Sequence, residues 1–232
     1  MSAELDGTVR DELARGLLQL GVPATEAQQR ALMRYLALME RWNAVYNLTA
    51  VRSPQAMVSH HLLDCLAAYP ALRRELGAQT ESRLIDVGSG AGLPGLLFAI
   101  MEPDLRVLCV DSVAKKVAFV RQAAAELGVR NATGLHARVE ALRETARVVA
   151  ARAYAPLDRL VASTSHLLER DGMWLVMKGK RPVQELAALP ADVEVFHVEP
   201  LVVPGLAQDR CLVWMRRSAR AGTRVASSDD LR

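Results

Sequence analysis

The chain has 232 residues, of which 51% are hydrophobic and 24% are charged, and its formal net charge is +3. This length and composition allow one sizeable α/β core with a modest additional subdomain. No apolar run reaches the length that spans a membrane and the N-terminus lacks a signal-peptide profile, so we expect a cytoplasmic protein without membrane contact. The small positive charge permits a nucleic-acid partner without requiring one. The cysteines, Cys65, Cys109 and Cys211, fit reduced core thiols better than disulfides or a zinc site.

The first part of the chain predicts helices. The leucine-rich segment 13–20 predicts a short first helix that ends at Gly21-Val22-Pro23. Thr25 followed three residues later by Gln28 is a capping-box pattern, which predicts a longer second helix that continues to about Asn43.

A third helix is predicted from Ser53-Pro54 to Ala68, because Pro suits the first turn of a helix. The pair Tyr69-Pro70 is expected to close this helix, since the residue before a proline disfavours helical backbone. We therefore interpret residues 1–80 as an N-terminal helical subdomain.

From Arg83 onward, strand-like and helix-like runs alternate, which predicts a seven-stranded, mainly parallel sheet. No helical run separates the last two strands, so we expect them to form an antiparallel hairpin at the edge. The tail 218–232 is polar and expected to be disordered, which leaves 81–217 as the α/β core. The predicted strands are 83–87, 105–110, about 131–136, 147–152, 173–178, 193–198 and 210–216, and the predicted helices are 94–101, 113–127, 156–169 and 182–189.

A glycine-rich turn follows the first predicted strand and opens the next helix. Gly88, Gly90 and Gly92 can adopt positive φ and have no Cβ, so the backbone can approach a ligand that lies across the strand end. Three glycines in so short a segment weaken a structure unless something must come close. The turn therefore predicts a nucleotide-type cofactor.

Two patterns compete for the identity of this cofactor. The spacing of Gly90, Gly92 and Gly95 matches a dinucleotide fingerprint, and Asp111 stands near its usual ribose-binding acid. The first glycine after the strand is Gly88, however, and the carboxylate of Asp86 just before it would repel a pyrophosphate. Such a carboxylate suits a cationic ligand. The pattern resembles the S-adenosylmethionine loop of class I methyltransferases, in which the first acid lies near the methionine amino group and the second binds the ribose.

Further blocks of the sequence, inside and outside this loop, extend the resemblance in chain order. They are Arg41-Trp42-Asn43, Tyr46-Asn47-Leu48-Thr49-Ala50, His60-x-Leu62-Leu63-Asp64, Asp86-Val87-Gly88-Ser89-Gly90-Ala91-Gly92-Leu93-Pro94-Gly95, Asp111-Ser112, Lys115-Lys116-Val117-Ala118-Phe119, Arg138-Val139-Glu140, Arg152-Ala153 and Met177-Lys178-Gly179.

In this order the blocks resemble the bacterial guanine-N7 methyltransferases of small-subunit ribosomal RNA, the glucose-inhibited division protein B family. The resemblance implies a Rossmann-like class I S-adenosylmethionine-dependent fold with an N-terminal helical subdomain. It also implies methyl transfer from S-adenosyl-L-methionine to N7 of a specific guanine in 16S ribosomal RNA. The expected partner is the ribosomal RNA or a 30S particle, and we expect a monomer.

The resemblance also implies a set of cofactor contacts. Asp111 would accept hydrogen bonds from the ribose hydroxyls, while Leu93 and Val113 would offer apolar faces to the adenine. All the segments concerned follow predicted strands, where ligands bind in open α/β sheets. The predicted cofactor-binding residues are Asp86, Gly88, Gly90, Leu93, Asp111, Ser112, Val113, Val139, Glu140 and Arg152.

The predicted substrate-positioning residues are Arg152 and Lys178, because either can donate to guanine O6 or to flanking phosphates. Alternatively, Arg152 is a surface ion-pair residue and Lys178 belongs to a solvated turn. No general base is expected, since guanine N7 attacks through a free lone pair. The segment 150–156 also lacks the Asn/Asp-Pro-Pro-Tyr/Phe block of enzymes that methylate adenine N6.

The N-terminal block allows several interpretations. His60 and Asp64 share a helix face, but a two-ligand match is poor evidence for metal, so we expect no metal site and instead a hydrogen-bonded His-Asp pair. His61 stands beside them with no assigned role. Asn43, Tyr46, Asn47 and Thr49 are candidates for RNA contact, although Asn and Thr also cap helices and close turns. We expect a mixed role, in which Trp42 and Tyr46 pack the helices onto the α/β core.

Other function classes remain open from the sequence. A class I methyltransferase acting on another RNA, a protein or a small molecule would share the cofactor half. A binding module that kept the fold alone would be expected to lose Asp86 or Asp111, and both are present. An NAD-dependent dehydrogenase is the third alternative.

Overall fold

The computed structural model describes residues 3–77 and 82–218. Its N-terminal part is helical, and a π-helical segment joins two short α-helices into one continuous run. The helices are α1 (Ala3–Gln19), α2 (Glu26–Tyr46), α3 (Pro54–Met57), the π-helical segment (Val58–Leu63), α4 (Asp64–Leu66) and α5 (Tyr69–Leu76).

The predicted capping box at the start of α2 is confirmed. The Thr25 hydroxyl accepts a bond from the Gln28 N–H at 3.2 Å, and the Gln28 side chain accepts one from the Thr25 N–H at 2.8 Å. The helix continues past the predicted end to Tyr46, where Asn47 takes a left-handed conformation with φ of 50°. The Gln28 amide also donates to the Met101 carbonyl at 3.0 Å, so the cap joins α2 to the α/β core.

The preceding helix ends before Tyr69-Pro70, as predicted, with Leu66 as the last residue of α4. Tyr69-Pro70 also begins α5, which the sequence analysis did not predict, because Pro is well suited to a first helical turn. Tyr69 is buried and its ring lies 6.4 Å from that of Phe98, so the start of α5 packs in the core.

The remaining chain forms a seven-stranded sheet of order β3-β2-β1-β4-β5-β7-β6, in which the first five strands are parallel and β7 is antiparallel to both neighbours. The predicted mainly parallel sheet and its terminal antiparallel pair are confirmed. The strands are β1 (Arg83–Val87), β2 (Arg106–Asp111), β3 (Ala132–His136), β4 (Ala146–Arg152), β5 (Leu168–Lys178), β6 (Val193–Leu201) and β7 (Arg210–Arg217). The helices between them are α6 (Gly95–Met101), α7 (Ala114–Leu127), α8 (Leu157–Thr164) and α9 (Val183–Ala187), with 3₁₀ turns at Val139–Ala141 and Ser165–Leu167.

Two boundaries differ from prediction at the same place. The predicted helix 156–169 ends as α8 at Thr164, and β5 starts at Leu168, earlier than the predicted 173. The pairing of β4 with β5 shifts register between Ala146 and Val148, so the early part of β5 is an irregular extension. The predicted disordered tail lies outside the described residues beyond Ser218.

The N-terminal helices pack on the sheet face that also carries α6 and α7. Trp42 and Tyr35 of α2 both contact the ring of Phe119 on α7, at centroid distances of 5.6 and 5.8 Å. The predicted packing of Trp42 onto the core is confirmed, and Tyr46 stacks on Trp42 at 4.9 Å. All three cysteines are buried free thiols, as predicted. None of the described helices is long and apolar enough to cross a membrane.

Candidate cofactor and substrate site

The glycine turn after β1 adopts the backbone that its residues predict. Gly88, Gly90 and Gly92 have φ values of 64°, 58° and 81°, a region that residues with a Cβ disfavour. A Cβ on Gly88 would also lie 2.5 Å from the Tyr154 ring, so the turn is closely covered. The buried Tyr35 hydroxyl donates to the Ala91 carbonyl at 2.8 Å. Helix α2 of the N-terminal part is thus hydrogen-bonded to the turn.

Asp111, the last residue of β2, joins this turn to the next one. One carboxylate oxygen accepts the Gly90 N–H at 2.9 Å and the other accepts the Val113 N–H at 2.8 Å. The Lys116 ammonium lies 3.9 Å away. Each carboxylate oxygen has a second lone pair, so Asp111 keeps the capacity to accept bonds from a ligand hydroxyl.

Asp86 lies behind the turn, fully buried in β1. One of its oxygens accepts the Gly95 N–H at 2.8 Å, while the other is buried and has no hydrogen-bond partner among the described residues. Burial raises the pKa of Asp86 to about 7, although the Gly95 N–H and the Arg152 guanidinium favour its charged form. An orphaned buried carboxylate oxygen is unfavourable unless a donor or cation reaches it.

A cleft of about 300 Å³ opens beside these groups at the carboxyl ends of the strands. Ligands bind at this edge in open α/β sheets. Six predicted cofactor residues line it: Gly88, Asp111, Ser112, Val113, Val139 and Glu140. The other predicted site residues, Asp86, Gly90, Leu93, Arg152 and Lys178, lie outside this lining. Among these, Leu93 is buried in the core on the α6 side of the sheet.

Sequence reasoning missed several residues of this cleft. Lys116, Arg138 and Tyr154 also line it, and Tyr154 follows Ala153, which takes a positive φ of 53°. Such a backbone is uncommon for a residue with a Cβ and occurs often at ligand sites. Arg138 directly precedes two predicted cofactor residues, and this position in the sequence could have predicted that it lines the cleft. Nothing in the sequence placed the Tyr154 ring over Gly88.

A second cluster lies at the ends of β4 and β7 and is centred on Asp64. Its buried carboxylate accepts bonds from Arg152 Nη1 at 3.0 Å and from Arg210 Nε at 2.7 Å. Arg152 also donates to the His60 carbonyl at 3.2 Å. The predicted pair between the His60 side chain and Asp64 is wrong, because Asp64 is bonded by the two arginines and the His60 ring nitrogen lies against the Ala56 carbonyl instead.

The histidines beside Asp64 have other partners. His60 Nδ1 lies 3.0 Å from the Ala56 carbonyl, and His61 Nε2 lies 2.8 Å from the Thr49 hydroxyl. Burial, with the Arg152 charge nearby, lowers the pKa of His61 to about 4. Within 3–77 and 82–218, no cluster of three or more His, Cys, Asp or Glu side chains could hold a metal ion.

Lys178, at the end of β5, is held by an internal network. Its ammonium donates to Glu185 at 2.7 Å and to the Ala155 carbonyl at 3.0 Å. The same Glu185 oxygen accepts the Leu157 N–H at 2.9 Å. Lys178 therefore belongs to an ion pair that orders the segment leading from β4 into α8.

These residues fit a nucleoside ligand that carries a positive charge. The apolar side chains of Val113 and Val139 flank the cleft, Asp111 offers acceptors at its wall, and the free oxygen of Asp86 lies behind the turn. The strand order and the cleft at this edge define the class I methyltransferase fold. The N-methyltransferase NodS from Bradyrhizobium japonicum, solved with S-adenosyl-L-homocysteine, has the same fold with a TM-score of 0.56 at 10% identity, over 77% of this chain and 98% of that chain.

The sequence comparisons identify the family. The family model described as rRNA small subunit methyltransferase G matches residues 28–213. Ribosomal RNA small subunit methyltransferase G of Acidovorax sp. (strain JS42) is 52% identical over 93% of this chain and 99% of its own length. The protein of the same name from Albidiferax ferrireducens is 53% identical over 89% of this chain and 96% of its own. The chain therefore belongs to the rRNA small subunit methyltransferase G family, as the sequence resemblance predicted, and is an S-adenosylmethionine-dependent rRNA methyltransferase.

Proposed function

We propose that this enzyme methylates N7 of one guanine in the 16S ribosomal RNA, acting in the cytoplasm as a monomer on the RNA or on a 30S particle. The family supplies the reaction class and the RNA class. The position on guanine rests on the sequence resemblance and on the character of the ionisable groups at the cleft.

The cofactor roles follow from the lining of the cleft. S-adenosylmethionine, when bound, supplies a methyl group activated by a sulfonium. We assign the ribose hydroxyls to Asp111 and the adenine to Ser112, Val113, Val139 and Glu140, all of which line the cleft. Gly88, Gly90 and Leu93 shape the turn, and Asp86 supplies negative charge for the cationic end of the ligand.

One observation carries the assignment to N7: no described histidine lines the cleft. His60 and His61 have partners outside the cleft lining, and His136, which adjoins it, has its Nε2 3.1 Å from the Ser112 carbonyl. The cleft carboxylates, Asp111 and Glu140, are assigned to the cofactor. A guanine N7 needs no base because its lone pair lies free in the plane of the ring, so catalysis rests on positioning and on charge stabilisation.

Arg152 and Lys178 would serve the substrate by different routes. Arg152 is 23% exposed and is oriented by Asp64, which leaves guanidinium N–H groups available for guanine O6 or a phosphate. Lys178 would act as a positioning residue, since its ammonium holds the Ala155 carbonyl. This hydrogen bond would hold the segment after β4 in a fixed position while the target guanine binds.

The test is a single-turnover rate measured from about pH 6.5 to 9 with saturating cofactor and small subunits from cells that lack this methylation. A nearly flat profile is expected, because a lone-pair nucleophile completes no titration in that range. Mass spectrometry of the digested RNA should find the methyl group on guanine N7. A tenfold rise in rate per pH unit, lost on replacing one histidine or acid, would instead move the target to an amine or a hydroxyl.

A further inference from the structure

The sheet face covered by α8 is open at the amino ends of its strands. The connection from β3 to β4 contains the 3₁₀ turn Val139–Ala141 in place of an α-helix, so no described helix covers this region. A cleft of about 820 Å³ results. Its polar lining includes Arg83, Asp104, Arg106, Arg130 and Glu144.

Strand register places three arginines in one row across this face. Arg83 of β1 pairs directly with Arg106 of β2. Leu84 pairs with Val148, so the preceding residues, Arg83 and Arg147, also lie at the same level. Neighbouring strands are about 4.8 Å apart, which sets the spacing of the row.

All three side chains lie on the same side of the sheet. Side chains alternate along a strand, and each arginine stands two residues from a side chain that packs in the core beneath α8. These core residues are Ile85, Leu108 and Val149. The row therefore lies on the side of the sheet away from the N-terminal helices, and Arg83 and Arg106 line the open cleft.

The row concentrates positive charge. Arg83 and Arg130 are exposed and form no hydrogen bond or ion pair with the described residues, and the buried Nε of Arg147 has no hydrogen-bond partner among them. The carboxylates of Asp104 and Glu144 line the same cleft, and Glu144 accepts the Arg143 N–H at 3.1 Å. A phosphate in this cleft would therefore meet two guanidinium groups, those of Arg83 and Arg130, that are available to donate to it.

We propose that this arginine row, together with Arg130 in the lining of the same cleft, binds the sugar-phosphate backbone of the substrate ribosomal RNA, at a second contact away from the reacting base. The planar guanidinium fork of arginine binds phosphate oxygens bidentately, which suits the anionic backbone of RNA. The row stands at the amino ends of the strands, four residues or about 13 Å along β1 from the edge that holds the cofactor. The inference rests on ribosomal RNA being the substrate and does not depend on which atom is methylated.

The test compares Arg83→Gln/Arg130→Gln with wild type on small subunits from cells lacking the methylation. We expect the KM for the particle to rise about tenfold, while kcat, cofactor affinity and melting temperature stay unchanged. The slope of log affinity for free 16S RNA against log salt should fall by about 1 for each arginine removed. Arg83→Lys/Arg130→Lys, which keeps the charge, should retain most of that slope.

Arg10→Gln is the matched control, because Arg10 is an exposed arginine on α1, on the other side of the sheet. An unchanged KM and salt slope in the double glutamine variant would overturn the proposal, and so would an equal effect of Arg10→Gln. A raised KM for the particle with unchanged affinity for free 16S RNA would also overturn it, by pointing to a ribosomal protein. Each variant is compared with the wild-type enzyme acting on the same RNA. The comparison does not depend on which atom is methylated, so this proposal can fail while the N7 assignment holds, and the reverse.

Discussion

The two halves of the carboxyl edge of the sheet are built differently. At the ends of β1 and β2, Asp111 binds the backbone of Gly90 and Val113, and the cleft beside it is open. At the ends of β4 and β5, by contrast, the cations are engaged in ion pairs, with Arg152 on Asp64 and Lys178 on Glu185. The half that we propose holds the cofactor, here the cofactor half, is thus a set of backbone turns. The half that we propose positions the substrate, here the substrate half, is a set of ion pairs that join separate segments.

This difference has a consequence for mutagenesis. Residues of the cofactor half should affect ligand binding more than folding, because their polar atoms face a cleft. Residues of the substrate half should affect both, since a partly buried ion pair that loses one member leaves an uncompensated charge. Four substitutions test this distinction.

Asp111→Ala should have the largest effect. It removes charged hydrogen bonds to the ribose worth roughly 1.5–3 kcal/mol each. The affinity for S-adenosylmethionine should fall by at least about 100-fold, measured by calorimetry. Asp111→Asn, which keeps one acceptor oxygen, should lose less. Unchanged affinity in the alanine variant would remove Asp111 from the cofactor site.

Asp64→Ala should lower the free energy of unfolding by about 3 kcal/mol, because Arg152 and Arg210 both lose their carboxylate. Urea denaturation measures this change. Asp158→Ala on α8 is the control, since Asp158 forms no ion pair with the described residues, and its effect should stay within the roughly 0.3–1 kcal/mol that an acidic residue contributes in the first turn of a helix. If both variants were equally stable, the two halves of the edge would not differ in the way proposed here.

Lys178→Ala should lower the free energy of unfolding by about 1–2 kcal/mol, since Glu185 loses a partner but remains partly solvated. The rate of methyl transfer per folded molecule should also fall, by more than the loss of folded protein explains, because the Ala155 carbonyl loses its donor. Lys178→Arg should restore stability better than activity. Arginine keeps the positive charge beside Glu185, but its planar guanidinium differs in reach from the lysine ammonium. Specific activity of the folded fraction separates the two effects, and normal activity in the alanine variant would make Lys178 purely structural.

The smallest effect concerns pH and Asp86. Its pKa is raised by burial to about 7 from 3.8, so protonation stabilises the folded protein. That stabilisation is fully present below about pH 4 and is lost as pH rises through 7. A cationic ligand prefers the ionised carboxylate, so cofactor affinity should rise about tenfold from pH 6 to 8. Asp86→Asn should flatten this pH dependence. If the affinity of the wild-type protein for the cofactor did not change with pH, Asp86 would have no role in cofactor binding.

The same contrast explains which predictions succeeded. The capping box at Thr25 and the turn at Gly88 depend on residues a few positions apart, and both match the structure. The side-chain pair predicted for His60 and Asp64 failed, because Arg210 lies 146 residues from Asp64 in the chain and no local pattern reports it. The start of a new helix at Tyr69-Pro70 was also not predicted, and there Tyr69 packs against Phe98, 29 residues further along the chain.

The sequence by itself determined the class of fold, the cofactor turn and the family, because strand and helix periodicity, glycine backbone freedom and ordered blocks are local properties. Only the tertiary structure decided that Asp86 and Leu93 are buried, that Tyr154 covers Gly88, and which carboxylate each arginine meets. Burial and ion pairing depend on which distant segments the sheet order brings together. Strand register likewise aligned Arg83 with Arg106 and Arg147, a row that linear spacing does not reveal.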